Sequence, residues 1–195
     1  MTQHKQQIRE QLLRRLRRQP QRQRLAKSKA ILRALARLEV YRRAKKVLCY
    51  AAIAGEVETR PLLERMLAER KRVAVPMARR DGHLVACEIR DVGRDLNHRG
   101  LFGVAHPNPA LARPVRPDRL DLVILPGVAF DRRCGRLGRG KGYFDRYLAR
   151  VPKRVPRVGL AFGFQVVREL PQETHDQPVW AVVTEKGIHE GTHRR

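Results

Sequence analysis

The sequence contains few cysteines and lacks the spacings by which cysteines bind metal. Only Cys49, Cys87 and Cys134 occur among its 195 residues, far apart and in no Cys-x-x-Cys arrangement. An odd number of widely separated cysteines indicates neither a disulfide framework nor a zinc site. We therefore expect a protein of a reducing compartment, with the cytoplasm as its location.

The beginning of the chain lacks a long apolar run. No unbroken stretch there has the length of a signal peptide or a membrane span, so we expect no membrane association. Residues 1–32 are rich in arginine, poor in acid and amphipathic, as mitochondrial transit peptides are, but they contain a single serine, Ser28. Because transit peptides are serine-rich, this composition favours a cytoplasmic protein over a targeted one.

Acidic residues are scarce, and the basic residues are concentrated near the beginning. The sequence has 43 lysines and arginines against 19 acidic residues, a net charge of +24. Nucleic acid, an anionic membrane and phosphorylated small molecules all suit such a charge. Residues 1–46 hold 16 of the basic residues and only two acids, Glu10 and Glu39. Any contact with nucleic acid is therefore expected mainly in this first quarter.

The apolar pattern changes from helical to alternating strand and helix after this basic segment. Apolar residues recur at helical spacing over residues 8–16 and 25–38, on either side of Pro20, which predicts a pair of basic amphipathic helices. The predicted strands that follow are 47–55, 72–78, 83–89, 120–127, 157–162 and 179–187. The predicted helices among them are 59–70, with Thr59 as its cap, 143–150 and 164–170, whereas the Gly- and Pro-rich residues 91–119 are expected to be mostly loop.

Strands that alternate with helices predict a single α/β domain over residues 1–195. We expect a mostly parallel, Rossmann-like sheet flanked by helices, with the basic helical segment 1–46 packed on or beside it. In such folds the ligand lies beyond the carboxyl ends of the strands. The loops 55–59 and 127–142 have that position.

The loop "GRLGRGKG", residues 135–142, resembles a phosphate-binding loop without matching it fully. It fits the pattern GxxxxGK[ST] at Gly135, Gly140 and Lys141, but Gly142 stands where a hydroxyl would hold magnesium. Glycines let backbone N–H groups converge on phosphate oxygens, Lys141 and the neighbouring arginines supply charge, and Asp145 one helical turn later offers a carboxylate for the metal. The alternative is a flexible basic surface that binds RNA backbone. The position of the loop between a buried strand and a helix favours phosphate binding.

A longer stretch carries a family resemblance. "LDLVILPGVAFDRRCGRLGRGKGYFDRYL", residues 120–148, resembles the signature of 5-formyltetrahydrofolate cyclo-ligases, also called 5,10-methenyltetrahydrofolate synthetases. Further matches follow in the family's order: "KQQIR" at 5–9, "GEVET" at 55–59, "VPM" at 75–77, "GLAF" at 159–162, "ETHD" at 173–176 and "VVTEKG" at 182–187. The segment "GVAHP" departs from the family, because His106 stands where an acidic or amide residue is common.

The resemblance implies an ATP- and magnesium-dependent ligase of one-carbon metabolism. Its members close 5-formyltetrahydrofolate, with or without a polyglutamate tail, to 5,10-methenyltetrahydrofolate and release ADP and phosphate. The formyl oxygen is trapped as a phosphorylated imidate, which the neighbouring folate nitrogen attacks.

The resemblance also assigns site residues. It implies that Lys141 and Arg139 are catalytic and that Asp145 and Asp176 bind Mg²⁺. The implied ATP-binding residues are Lys5, Arg9, Gly135, Arg136, Leu137, Gly138, Arg139, Gly140, Lys141, Gly142 and Tyr143. The implied folate-binding residues are Ala51, Glu56, Arg139, Gly140, Lys141, Gly142 and Tyr143.

Other interpretations of these residues stay open at this stage. Lys5 and Arg9 on their own are typical of solvated charges on a basic helix. His175 and Asp176 are typical of a turn, and His189 with His193 of a loose tail rather than a metal site. For the whole protein, the alternatives are an RNA-binding module built from the basic helices and the Arg/Gly loop, and a kinase-like or ligase-like enzyme with another substrate.

Overall fold

Helices and strands alternate along the chain in the computed structural model, which describes residues 3–96, 98–100, 104–109 and 112–191. The helices are α1 (Gln3–Arg18), α2 (Gln21–Leu35), α3 (Glu39–Arg43), α4 (Arg60–Ala68), α5 (Val92–Asp95) and α6 (Tyr143–Leu148). The strands are β1 (Lys46–Cys49), β2 (Arg72–Ala78), β3 (Leu84–Ile89), β4 (His98–Arg99), β5 (Ala105–His106), β6 (Arg113–Val115), β7 (Leu122–Pro126), β8 (Ala129–Asp131), β9 (Arg136–Leu137), β10 (Arg157–Leu160), β11 (Val166–Val167), β12 (Ala181–Thr184) and β13 (Gly187–Glu190).

A mixed sheet forms the centre of the fold, and within the described ranges it has eight strands in the order β13-β12-β10-β7-β1-β2-β3-β6. The five strands from β12 to β2 pair in parallel, and the strands outside them pair antiparallel. Strand β7 lies near the middle and is continuously apolar, with Val123, Ile124 and Leu125 fully buried. Such a run is typical of a strand covered on both faces. The predicted α/β class with a mostly parallel sheet is confirmed.

The basic segment forms the predicted pair of helices, separated at Pro20. Helix α1 buries one face through Lys5, Arg9, Leu12 and Leu16, and α2 does so through Ser28, Ile31 and Leu35. Helix α1 lies near β8 and α2 near β12, so both pack on the α/β body. In the described part of the chain, no helix is both long and apolar enough to cross a membrane.

The prediction of a helix over residues 164–170 is wrong. The chain makes a 3-10 turn at Gly163–Gln165 and then forms β11, which pairs with β8. The buried Gln165 explains the difference, because its amide donates to the carbonyl oxygens of Gly127 and Val128 at 2.8 and 3.1 Å. Its oxygen also accepts the Phe162 N–H at 2.8 Å. These tertiary hydrogen bonds hold the segment outside a helix.

The predicted end of the first strand is wrong, and the predicted cap Thr59 has a different side-chain role. Strand β1 ends at Cys49 rather than at Gly55, because the next carbonyl, that of Tyr50, accepts a hydrogen bond from the Thr59 hydroxyl at 2.8 Å. The same hydroxyl accepts the Ala52 N–H at 3.0 Å. Thr59 occupies the predicted N-cap position of α4, but its side chain makes no capping hydrogen bond and instead ties the loop after β1 to the start of that helix.

The remaining differences concern short elements. Residues 91–119, expected to be mostly loop, include α5 and the short strands β4, β5 and β6. The predicted strand 179–187 is a hairpin of β12 and β13, so the expectation of a loose tail is wrong for His189, which lies in β13. His193 lies outside the described residues.

Candidate active site

A cavity of about 400 Å³ opens beside the glycine loop. Its wall comes from residues 50–56 after β1, from residues 126–128 at the end of β7, and from residues 136–145, with a further side from β2 and β3. Much of this surface is apolar, including Ile53, Leu84 and Phe144. The charged lining residues are Glu56, Arg136, Arg139, Lys141 and Asp145. An apolar cleft with a few convergent polar groups is typical of a small-molecule site.

The glycine loop adopts a backbone that requires glycine at two positions. Gly140 has φ +95° and Gly142 has φ +67°, and a Cβ on Gly142 would lie 2.7 Å from Nη1 of Arg146. Gly142 immediately precedes α6. Lys141, between these glycines, is exposed on the cavity wall, and among the described residues its ammonium has no hydrogen-bond or ion-pair partner. The loop therefore presents one uncompensated cation to whatever occupies the cavity.

Arg136 and Asp145 form an ion pair beneath the loop. Nη2 of Arg136 lies 2.6 Å from Oδ1 of Asp145, and Nη1 donates to the Pro126 carbonyl oxygen at 3.4 Å. Nε is buried without a partner in the ranges that the structure covers. The pair leaves Oδ2 of Asp145 without a protein hydrogen bond in those same ranges, so one carboxylate oxygen remains for another ligand.

Glu56 and Arg139 join the loop after β1 to the glycine loop across 83 residues of sequence. Nη2 and Nε of Arg139 donate to Oε1 of Glu56 at 3.0 and 3.2 Å, and the Ile53 N–H donates to Oε2 at 3.2 Å. Burial raises the pKa of Glu56, and the Arg139 guanidinium and the Ile53 N–H oppose that rise. Glu56 is therefore a desolvated carboxylate at the cavity wall, near the predicted Ala51.

Helix α1 brings two buried cations to the same region. Nε of Arg9 donates to the Gly138 carbonyl oxygen at 3.0 Å, and a Cβ on Gly140 would lie 3.5 Å from the Arg9 guanidinium carbon. Lys5 and Arg9 are only 3% and 6% exposed. Their alternative interpretation as solvated charges is wrong.

Lys5 contacts two acidic residues, Glu173 and Asp176, that are far from it in the sequence. Its Nζ lies 2.6 Å from Oδ2 of Asp176 and 3.4 Å from Oε1 of Glu173. Ligand atoms of Glu173, His175 and Asp176 all lie within 4.8 Å of one another. Burial would raise the pKa of Asp176, but hydrogen bonds from Lys5 and from the Glu173 N–H hold it below its usual value.

The remaining predicted residues divide into those that line the cavity, those that are buried in the loop, and Asp176, which lies in the cluster around Lys5. Gly138, Gly142 and Tyr143 line the cavity together with Lys141 and Arg139, and the Tyr143 hydroxyl donates to the Arg79 carbonyl oxygen at 3.1 Å. Gly135 and Leu137 are buried at the start of the loop. Asp145 lines the cavity, whereas Asp176 is not among the described residues that do so. The two predicted metal ligands thus lie in separate clusters, one paired with Arg136 and the other with Lys5.

Sequence reasoning missed Asp131, which shapes the start of the glycine loop. Its buried carboxylate accepts the N–H groups of Arg133 and Gly135 through Oδ1, at 2.9 and 2.8 Å, and that of Leu170 through Oδ2, at 3.1 Å. The signal that could have found it is the turn-forming segment "DRRCG", an aspartate four residues before a glycine. His106 also lines the cavity, with Nδ1 2.7 Å from the Pro107 carbonyl oxygen.

Comparisons with known proteins agree on one family. The sequence profile of the 5-formyltetrahydrofolate cyclo-ligase family matches residues 1–185. The 5-formyltetrahydrofolate cyclo-ligase of Escherichia coli K12 is 34% identical over 151 residues, covering 75% of this chain and 81% of that protein. The solution structure of Aquifex aeolicus 5,10-methenyltetrahydrofolate synthetase superposes with a TM-score of 0.85 at 32% identity, covering 98% of this chain and 94% of that one. A Mycoplasma pneumoniae 5,10-methenyltetrahydrofolate synthetase, 21% identical, shares the fold with a TM-score of 0.75 over 93% of this chain and 98% of its own.

Proposed function

The chain belongs to the 5-formyltetrahydrofolate cyclo-ligase family, and we propose that it closes 5-formyltetrahydrofolate to 5,10-methenyltetrahydrofolate at the expense of ATP. The observation that carries this proposal is the cavity itself. An apolar wall with one desolvated carboxylate, Glu56, faces a glycine loop with an uncompensated cation, Lys141. The apolar wall suits a flat ring system, and the glycine loop suits phosphate groups.

The folate ring system is proposed to lie against residues 50–56. Glu56 offers carboxylate oxygens to ring N–H donors, and charge-assisted hydrogen bonds of that kind are among the stronger ones. Ala51 and Ile53 contribute apolar surface beside it.

The nucleotide phosphates are proposed to lie along the glycine loop, from Gly138 to Tyr143. Lys141 and Arg139 face the cavity there, and Arg9 lies against the loop backbone. Lys5 is proposed to exchange its carboxylate partners for a phosphate when ATP binds. These cations would balance the negative charge of the triphosphate.

The reaction follows from the chemistry of the formamide. Its oxygen is a poor leaving group, so it first attacks the γ-phosphorus as the bond between that phosphorus and ADP breaks. The neighbouring folate nitrogen then attacks the formyl carbon, the carbon–oxygen bond breaks with release of phosphate, and that nitrogen loses its proton. The part of Lys141 and Arg139 is electrostatic, because they stabilise the charge that develops on the transferred group.

The proposed Mg²⁺ ligands fit the ion only in part, because one of the two carboxylates is already paired with Lys5. This ion is held in ATP sites by one or two carboxylates together with substrate phosphates and water. Asp145 meets that need with Oδ2 free of protein hydrogen bonds among the described residues, whereas Asp176 would first have to release Lys5. We propose both as ligands; the ion would neutralise phosphate charge when bound. The three cysteines are free and buried, which supports a cytoplasmic location within this proposal.

The test is a turnover assay with 5-formyltetrahydrofolate, ATP and MgCl₂, followed by the near-ultraviolet absorbance of the methenyl product. We expect turnover by the unaltered protein and a loss of about 100-fold in Lys141→Ala, as for removal of one group that stabilises transition-state charge. Lys153→Ala is the matched control, because Lys153 is also an exposed lysine but lies outside the cavity lining. No turnover by the folded, unaltered protein would contradict the function, and full activity of Lys141→Ala would contradict the role of that residue.

A further inference from the structure

The outer faces of α1 and α2 carry cations that no acidic residue compensates. Six of them are exposed, and across the ranges that the structure describes none takes part in an ion pair. They are Arg14, Arg17 and Arg18 on α1 and Arg22, Lys29 and Arg33 on α2. We call these six residues the basic face. Charges held in water without counter-charges are favourable partners for a polyanion.

The spacing on α2 aligns its three cations. Residues 22, 29 and 33 differ by seven and four, so they lie along one side of the helix, opposite the buried Ile31 and Leu35. At 1.5 Å per residue the row extends over about 16 Å. Because a nucleic-acid duplex carries one negative charge per about 1.7 Å of its axis, such a row spans several phosphates.

The same helices argue against a membrane surface as the partner. A helix that lies in a bilayer interface turns an apolar face outward, but the apolar faces of α1 and α2 pack on the protein. Leu25, at 43% exposed, is the large apolar side chain that α2 leaves in solvent among the described residues. The charge is therefore not accompanied by the apolar area that interfacial binding needs.

The lack of aromatic residues limits how nucleic acid would be bound. The first 40 residues contain no Phe, Tyr or Trp, so the basic face offers no ring on which a base could stack. Binding would rest on the phosphate backbone, which is denser in a duplex than in a single strand.

The glycine loop takes no part in this surface. Its Arg136 is paired with Asp145 and its Arg139 with Glu56, and both line the cavity. The basic face and the proposed active site are thus separate groups of residues, although α1 contributes to each from opposite sides.

We propose that the basic face binds the phosphate backbone of nucleic acid, without sequence preference and with a preference for duplex over single strand. Six phosphate contacts correspond to a slope of about −5 in a plot of log affinity against log salt concentration. Affinity would then fall about a thousandfold between about 50 and 200 mM salt. The proposal is independent of the ligase activity, because none of the six residues lines the cavity.

The experiment measures fluorescence anisotropy of labelled mixed-sequence DNA duplex, RNA duplex and single strand over that range of salt. The triple variant Arg22→Gln, Lys29→Gln, Arg33→Gln is expected to lose about half of the salt slope and at least tenfold in affinity at the lowest salt. Glutamine is chosen because its helix propensity is close to that of lysine and arginine. The matched control is Arg150→Gln, Lys153→Gln, Arg154→Gln, which removes the same charge from exposed residues after α6 and is expected to bind as the unaltered protein does.

Both triple variants are expected to keep the thermal midpoint and the ligase turnover of the unaltered protein. A preference between the RNA and DNA duplexes would identify the source of the backbone, and either preference supports the proposal. Equal loss of affinity in the two triple variants would overturn it, because binding would then reflect net charge alone. Binding to phosphatidylserine and phosphatidylcholine vesicles without binding to either duplex would overturn it in favour of a membrane surface.

Discussion

Arg136 and Asp145 contact each other at 2.6 Å beneath the glycine loop, with side chains that are only 2% and 16% exposed. The guanidinium contacts one carboxylate oxygen of this cavity-lining aspartate, and the other has no protein hydrogen bond among the described residues. We therefore expect Arg136 to position Asp145, and its contact with phosphate stays a prediction. Partners of this kind orient a metal-binding carboxylate, and their loss commonly weakens metal binding 10- to 100-fold.

Arg136→Lys is accordingly expected to raise the Mg²⁺ concentration for half-maximal turnover about tenfold, because an ammonium lacks the planar guanidinium that contacts both Asp145 and the Pro126 carbonyl oxygen. Asp145→Asn, which removes the carboxylate, is expected to lose activity at every Mg²⁺ concentration. Arg116→Lys is the control, since Arg116 makes a similar contact to Asp118 on the surface. An unchanged Mg²⁺ dependence in Arg136→Lys would contradict its positioning role, and full activity of Asp145→Asn would contradict metal binding by Asp145.

Glu56→Gln is expected to separate stability from function. Because burial raises the pKa of Glu56, the folded state binds its proton more tightly than the unfolded state, and the ionised carboxylate lowers stability at neutral pH. That cost disappears as the pH falls below the folded pKa. The variant should therefore be at least as stable as the unaltered protein at neutral pH, with an advantage that shrinks toward acid, while the KM for folate rises about tenfold or more.

Urea unfolding at several pH values, together with steady-state kinetics, checks this prediction. Glu64→Gln is the control, because Glu64 is an exposed partner of Arg60 on α4. A Glu56→Gln protein that is less stable at neutral pH, by an amount that does not change with pH, would contradict the assigned cause.

The contact between Lys5 and Asp176 is expected to contribute to stability before any nucleotide binds. Lys5→Gln and Asp176→Asn should each lower the free energy of unfolding by about 1–3 kcal/mol. Lys5→Gln leaves Asp176 without its cation, and Asp176→Asn leaves the buried Lys5 with only its longer contact to Glu173. The double variant should lose less than the sum, with a coupling of about 0.5–3 kcal/mol. Urea unfolding without ATP and Mg²⁺ measures the cycle, and strict additivity would show that the contact contributes nothing.

Asp131→Asn is expected to disturb the glycine loop from below. An asparagine retains one acceptor oxygen and places an NH₂ group where the other was, so either the hydrogen bond from Leu170 or those from Arg133 and Gly135 are lost. The cost is about 1–3 kcal/mol. The KM for ATP should rise while the KM for folate changes little. Asp121→Asn is the control, since Asp121 accepts the N–H groups of Lys45 and Lys46 at the opposite ends of the strands. Equal KM values for ATP in both variants would rule out a positioning role for Asp131.

Local sequence patterns predicted the architecture because the apolar residues that form these patterns are the ones that the fold buries. The apolar run of β7 and the helical spacing on both sides of Pro20 correspond directly to buried faces. The segment at 164–170 could not be predicted in this way, because Gln165 satisfies carbonyl groups that are distant in sequence. Its apolar spacing fits a helix, and tertiary hydrogen bonds override it.

The site residues likewise divide into features that local sequence predicts and contacts that it could not predict. The glycine loop and the carboxylate after it can be recognised from their spacing, and the family resemblance extends this to Lys5 and Asp176. The partner of each charge could not be predicted. No local sequence pattern pairs Arg139 with Glu56. None pairs Arg136 with Asp145, the aspartate that the sequence suggests as a metal ligand. These pairings depend on how the loops meet at the ends of the strands.

The contact between Lys5 and Asp176 joins residues that are 171 positions apart. During synthesis the first helix leaves the ribosome long before the acids that it will meet. The two ends of the contact can meet only after 171 further residues have been added. With the proposed roles of Lys5 and Asp176, the site is therefore among the last parts of the molecule to form.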